Sequence, residues 1–122
     1  MTSTIRLFSQ SLLPAVCFSL IGIASHTQAA SFDCGKASTR TEKAICANRS
    51  LSEMDVKMAT QFEIYNHLVA MGSRDAMQDR QLSWLAERNL CNSNRRCLAL
   101  SYRQRIGEIE QALNAVYQRG PF

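Results

Sequence analysis

The sequence predicts a small all-α protein: an antiparallel helical bundle with three main helices and a short N-terminal helix, stapled by two disulfides. Three observations carry that expectation. Apolar residues recur at steps of three and four through three separate stretches, which is the spacing that gives a helix one apolar face. No run of useful length alternates with the two-residue period of a strand. Four cysteines lie downstream of the N-terminal apolar segment, an even count that suits a small disulfide-held domain.

The chain opens with one charge, Arg6, then an apolar run from Leu7 to Ile23, then Ser25-His26-Thr27-Gln28-Ala29-Ala30. A basic start, an apolar centre and small residues are the order of a secretory signal, so residues 1–29 read as a signal peptide cleaved after Ala29. The run is shorter than the ~20 residues that span a bilayer and is interrupted by Pro14, so no stable membrane insertion is expected after cleavage. Cys17 follows Pro14-Ala15-Val16, which is no lipid-attachment pattern. Residues 30–122 then form one domain, with 13 Lys+Arg against 10 Asp+Glu, a net charge of +3. Such a short chain buries a modest fraction of its surface, and covalent support is expected. The implied location is periplasmic or secreted, in a bacterium.

Phe32 to Ala37 shows no periodicity and reads as coil. Thr39-Arg40-Thr41-Glu42 matches a capping box, which starts a short helix running to about Asn48. Ser50-Leu51-Ser52-Glu53 repeats the signature ahead of Leu51, Met54, Met58, Phe62, Tyr65, Leu68 and Val69, one amphipathic helix that Gly72 should end in a left-handed conformation. Ser73 caps the next helix, with Met77, Gln81, Trp84, Leu85 and Arg88 on neighbouring turns. Trp84, the single tryptophan, should pack mid-bundle with its ring nitrogen bonded. The last helix starts near Arg95 and carries Leu98, Tyr102, Ile106, Ile109, Leu113 and Val116. Gly107 weakens it, and Gly120-Pro121 stops it.

Four cysteines allow three pairings. The turn formers Asn92-Ser93-Asn94 lie between Cys91 and Cys97, and a helix start lies between Cys34 and Cys46. Each loop thereby brings its own ends together, so the expected bonds are Cys34 with Cys46 and Cys91 with Cys97. Asp55 sits beside the apolar stripe of the long helix, and Arg88 one turn after Trp84. An inward-facing ion pair between them is expected, with a structural role.

Little in the sequence supports catalysis. His67 is the one histidine left after cleavage, on an otherwise exposed helix face, and a nucleophile needs a base beside it. Glu108 and Glu110, like Glu53 and Asp55, are two positions apart and diverge around a helix, so neither couple flanks a substrate. Metal spacing, a phosphate loop and a nucleotide fingerprint are absent from the sequence, and neither an enzyme nor a cofactor is expected. Arg88, Arg95, Arg96, Arg103 and Arg105 crowd the hairpin against Glu87 and read as a solvated basic tip. Export argues against nucleic acid as a partner.

Phe32-Asp33-Cys34 with Lys36-Ala37, Thr41 to Cys46, Leu51 and Asp55, Gln81 with Trp84-Leu85, Arg88 and Cys91, then Cys97-Leu98, Tyr102 and Arg105-Ile106 resemble the LprI-type lysozyme-inhibitor-like domain. The resemblance runs from Phe32 to about Leu113. It implies a helical, disulfide-held module exported from a bacterium, most of whose relatives have no known role. The function it implies is stoichiometric binding of a protein partner, lysozyme first among candidates. The alternative is a non-inhibitory envelope module that binds a wall polymer or another exported protein. The surface expected to meet a cationic partner is the connection Met71 to Asp75, with Arg74, Asp75 and Asp79.

Overall fold

A computed structural model describes residues 30–120. Residues 1–29, read above as a signal peptide, lie outside the described residues, as do Pro121 and Phe122. A single 3-10 turn, Cys34–Lys36, leads into α1 (Arg40–Cys46), α2 (Arg49–Leu68), α3 (Met71–Leu90) and α4 (Arg95–Tyr117). No strand occurs among the described residues. The fold is the expected small all-α bundle.

The start of α1 is the predicted capping box. Thr39 Oγ1 accepts from the Glu42 amide at 3.1 Å, and Glu42 Oε2 accepts from the Thr39 and Ser38 amides at 2.9 and 2.8 Å. Those amides hold the Glu42 carboxyl below its usual range, Thr39's first and Ser38's next. The helix stops at Cys46, before the predicted Asn48, because Asn48 turns outward to cap α2: its Oδ1 accepts from the Leu51 amide at 3.1 Å. This corrects the expected cap at Ser50-x-x-Glu53. Ser50 and Glu53 lie inside α2, where Glu53 pairs with Arg49 at 2.8 Å.

The corner between α2 and α3 departs further from expectation. Leu68 ends α2, and Val69 and Ala70 are extended. Gly72 and Ser73 therefore stand in the first turn of α3 and terminate nothing. Arg74, on that turn, reaches back to the carbonyls of Asn66 (2.9 Å) and Val69 (3.4 Å), which supplies donors to the end of α2 in place of a left-handed glycine. At the other corner Asn92 takes φ 49°, a conformation asparagine tolerates, and Asn94 Oδ1 caps α4 through the Cys97 amide at 3.1 Å.

Both disulfides join the expected partners, Cys34–Cys46 with Cα atoms 5.8 Å apart and Cys91–Cys97 with Cα atoms 5.6 Å apart. The core is built from Ile45, Leu51, Met58, Tyr65, Met77, Trp84 and the α4 stripe Leu98, Tyr102, Ile106, Ile109, Leu113 and Val116, all buried. The most extensive packing is between α2 and α4. Clefts lie between α3 and each of these neighbours. No helix among the described residues is long and apolar enough to cross a membrane.

Candidate functional site

Polar side chains gather where the three long helices meet. Asp55 on α2 is 1 % exposed, Arg88 on α3 is 6 % exposed and Tyr102 on α4 is fully buried. Tyr102 Oη donates to Asp55 Oδ1 at 2.7 Å and accepts from Arg88 Nη1 at 2.9 Å, while Arg88 Nη1 and Asp55 Oδ1 stand 3.7 Å apart. The inward-facing Asp55–Arg88 pair is thus bridged by a phenol that the sequence reading placed only on the apolar stripe. The second Asp55 oxygen accepts from the amide and hydroxyl of Ser31, which ties the N-terminal segment to the hub. Arg88 Nη2 donates to Asn89 Oδ1. Its guanidinium carbon lies 5.3 Å from the Trp84 ring centroid and 5.8 Å from that of Tyr102, so π-faces partly replace water around it. Trp84 Nε1 donates to the Ser101 carbonyl at 3.3 Å, the bond expected of a buried indole.

A second polar level extends this one. Arg105, 2 % exposed, donates from Nε to Gln81 Oε1 at 2.9 Å, from Nη1 to Glu108 Oε2 at 3.1 Å and from Nη2 towards Met77 Sδ at 3.4 Å. Gln81 in turn donates to Met58 Sδ at 3.2 Å. Arg88 and Arg105 therefore leave the basic tip that composition suggested, and Arg95, Arg96 and Arg103 remain exposed there. The signal was present in register: Arg105 falls between Tyr102 and Ile106 on the inward face of α4.

The hub is built for holding. Asp55 accepts from three donors and is almost wholly buried. Burial, and then the Asp55 carboxylate, push the Tyr102 phenol far above its usual range, so it stays protonated and keeps donating. Among the described residues no group of three His, Cys, Asp or Glu side chains is placed to hold a metal ion.

Open surface lies on either side of α3. Between α3 and α4 runs a groove of about 450 Å³, lined by Trp84, the Cys91–Cys97 bond and Leu100 together with Arg80, Glu87, Gln104, Arg105 and Glu108. Leu100 is 56 % exposed there. A second cleft of about 400 Å³ lies between α2 and α3 under Phe32, above Asp55 and Arg88. The residues first singled out for partner binding sit apart from both. Arg74 is half-buried and engaged with the end of α2, and Asp75 and Asp79 are exposed on early turns of α3; the stretch from Met71 to Asp75, expected as a loop, belongs to that helix. His67 is exposed, 3.8 Å from Glu63.

Compared with known proteins, the chain matches no protein-family model, no curated protein and no solved structure.

Proposed function

We propose that this is an exported, stoichiometric binding protein of the lysozyme-inhibitor kind, which receives a segment of its partner in the groove between α3 and α4. The observation that supports the reading is the groove itself: its lining mixes Trp84, Leu100 and the Cys91–Cys97 bond with Arg80, Glu87 and Glu108, and that disulfide clamps the turn between the two helices that frame it. A surface that mixes apolar and polar groups is the usual composition of a protein-binding patch. A frame held by hydrogen-bonded core groups and two cystines loses little conformational entropy when it binds. Glu87 in its lining supplies a negative charge for a cationic partner. The periplasmic or secreted location belongs to the same proposal and agrees with the two disulfides.

The test is calorimetric titration of the purified protein against a cationic lysozyme, beside a clearing assay on bacterial walls. Binding with one-to-one stoichiometry is expected, together with loss of clearing. Leu100→Asp in the groove should weaken affinity at any salt concentration, and Glu87→Lys should slow association mainly at low salt. Absence of binding at micromolar concentrations refutes the inhibitor reading.

A second reading has its own observation. Arg95 and Arg96 at the start of α4, and Arg103 about two turns further along it, are exposed and would attract an anionic wall polymer, which defines an envelope module without inhibitory activity. Salt-sensitive sedimentation with purified cell walls, abolished by charge reversal at these three arginines, identifies that case.

A further inference from the structure

The cleft of about 400 Å³ between α2 and α3 falls within the size range of small-molecule sites. Three segments give it apolar walls: Phe32 comes from the N-terminal segment, Met58 and Phe62 from α2, and Leu85 from α3. Phe32, Phe62 and Leu85 are half-buried, so each still shows apolar surface. Asp55, Gln81 and Arg88 add buried polar groups to the same lining. Apolar walls with a few fixed polar groups are the usual composition of a ligand site.

One of those groups has capacity to spare. Arg88 donates from Nη1 to Tyr102 Oη and from Nη2 to Asn89 Oδ1, but its Nε is buried with no hydrogen-bond partner among the described residues. A buried N–H left unpaired is costly, and native proteins carry few of them. Nε and Nη2 lie on one edge of the guanidinium plane, the fork with which arginine grips acceptor oxygens. The group now on that edge is the Asn89 side chain, which is exposed and itself lines the cleft, so it can turn aside into solvent.

The remaining polar groups of the lining are engaged. Asp55 accepts from Ser31 and Tyr102, Glu42 from the Ser38 and Thr39 amides, and Gln81 bonds Met58 Sδ and Arg105. Two carboxylates, Asp55 and Glu42, stand in the lining against the single guanidinium of Arg88, so an anionic ligand meets repulsion that an uncharged acceptor does not. We infer that this cleft binds a small, uncharged and mainly apolar molecule that carries a carbonyl group, with its hydrocarbon part among Phe32, Phe62 and Leu85 and its carbonyl oxygen accepting from Arg88 Nε. The inference goes beyond the groove reading and does not rest on it, since the cleft and the groove share no lining residue.

N-acetylphenylalaninamide, an aromatic side chain between two uncharged carbonyls, is the probe for a nuclear magnetic resonance titration of the isotope-labelled protein. It should move the Arg88 Nε–H resonance together with the backbone amides of Ala59, Phe62 and Leu85, with a dissociation constant on the order of a millimolar. N-acetylphenylalanine, which has a carboxylate in place of the terminal amide, should bind at least about tenfold more weakly. Ala59→Phe, at a half-buried lining position outside the hydrogen-bonded hub, puts a ring into the cleft. With helicity and the Trp84 indole resonance checked as unchanged, that variant should lose the response to the probe. An Arg88 Nε–H resonance that stays still with the probe at about ten times a millimolar overturns the inference. So does equal binding of the carboxylate, or a response that persists undiminished in Ala59→Phe. None of these results depends on whether lysozyme binds.

Discussion

Removing one oxygen atom from Tyr102 tests the reading of the hub most directly. Tyr102→Phe keeps the ring, its edge-on contact with Trp84 at 5.3 Å between centroids, and nearly all the buried apolar area. It deletes the hydroxyl that donates to Asp55 at 2.7 Å and accepts from Arg88 at 2.9 Å. Hydrogen bonds to charged groups are each worth about 1.5–3 kcal/mol. The loss is smaller than two full bonds, because Asp55 keeps both Ser31 donors and still faces Arg88 at 3.7 Å. We expect Tyr102→Phe to cost about 2–4 kcal/mol. Asp55→Ala should cost more, about 3–5 kcal/mol, since it strands a guanidinium that is almost wholly buried. Urea unfolding with the disulfides intact measures both, as a fall in midpoint at constant slope. For a domain of this size the slope is near the low end of the 1–3 kcal/mol/M range, so the Tyr102→Phe midpoint should fall by roughly 2 M or more. A Tyr102→Phe protein within about 0.5 kcal/mol of the parent, or one less stable than Asp55→Ala, would refute the bridging role.

Other expectations concern local devices. Gly72 and Gly107 are both helical with nothing within 4 Å of an added Cβ, so Gly72→Ala and Gly107→Ala should each raise stability by about 0.5–1 kcal/mol; a loss at Gly72 would restore it as a helix terminator. Because the Glu42 carboxyl titrates lower in the folded chain than in the unfolded one, its contribution is complete above the ordinary value of 4.5 and fades as pH falls through the depressed value. Thermal melts of Glu42→Gln should accordingly converge with those of the parent in acid and lie below them at neutral pH. Opening the loop closed over a separation of 12 residues by Cys34→Ser, Cys46→Ser should cost roughly 3 kcal/mol, and opening the one closed over 6 by Cys91→Ser, Cys97→Ser roughly 2 kcal/mol, both readable in urea midpoints.

The parts of the fold legible in the sequence were those encoded over a few residues. Thr39 and Glu42 satisfy each other's amides within one turn, and the stripe from Leu98 to Val116 needs only a constant step. The misreadings arose where a distant group did the work of a local one. Gly72 resembles a helix terminator by itself, yet α2 ends four residues earlier because Val69 and Ala70 are extended and Arg74 bonds the freed carbonyls. Ser50 and Glu53 looked like a cap because Asn48, two positions earlier, was already spent on the preceding helix. Arg105 was grouped with its charged neighbours by composition, whereas its position in the Tyr102–Ile106–Ile109 register places it inside. Gln81 falls on neighbouring turns with Met77 and Trp84, but nothing in sequence spacing states that it and Arg105 meet from different helices.

The arrangement of the hub explains why a domain this small keeps buried charge at all. Replacing a buried ion pair with apolar residues of similar volume is often neutral or stabilising, so stability alone does not require Asp55, Arg88 and Arg105. Position does. Clefts flank α3 on both sides, and an apolar face of leucines and methionines would tolerate a slide of one turn along α4. Directional bonds at two heights remove that freedom: Arg88 is held by Tyr102 and Asp55, and Gln81, seven residues or about 10.5 Å lower on α3, is held by Arg105. Two separated anchors resist both sliding and rotation, and they thereby set the width of the groove beside Trp84. The triple variant Asp55→Leu, Arg88→Met, Tyr102→Phe isolates this role. It should unfold at nearly the parent's urea midpoint, while Trp84 loses its single environment: near-ultraviolet dichroism should weaken and the indole N–H resonance should broaden or split. A triple variant with one sharp indole resonance and undiminished dichroism would show that apolar packing alone sets the register.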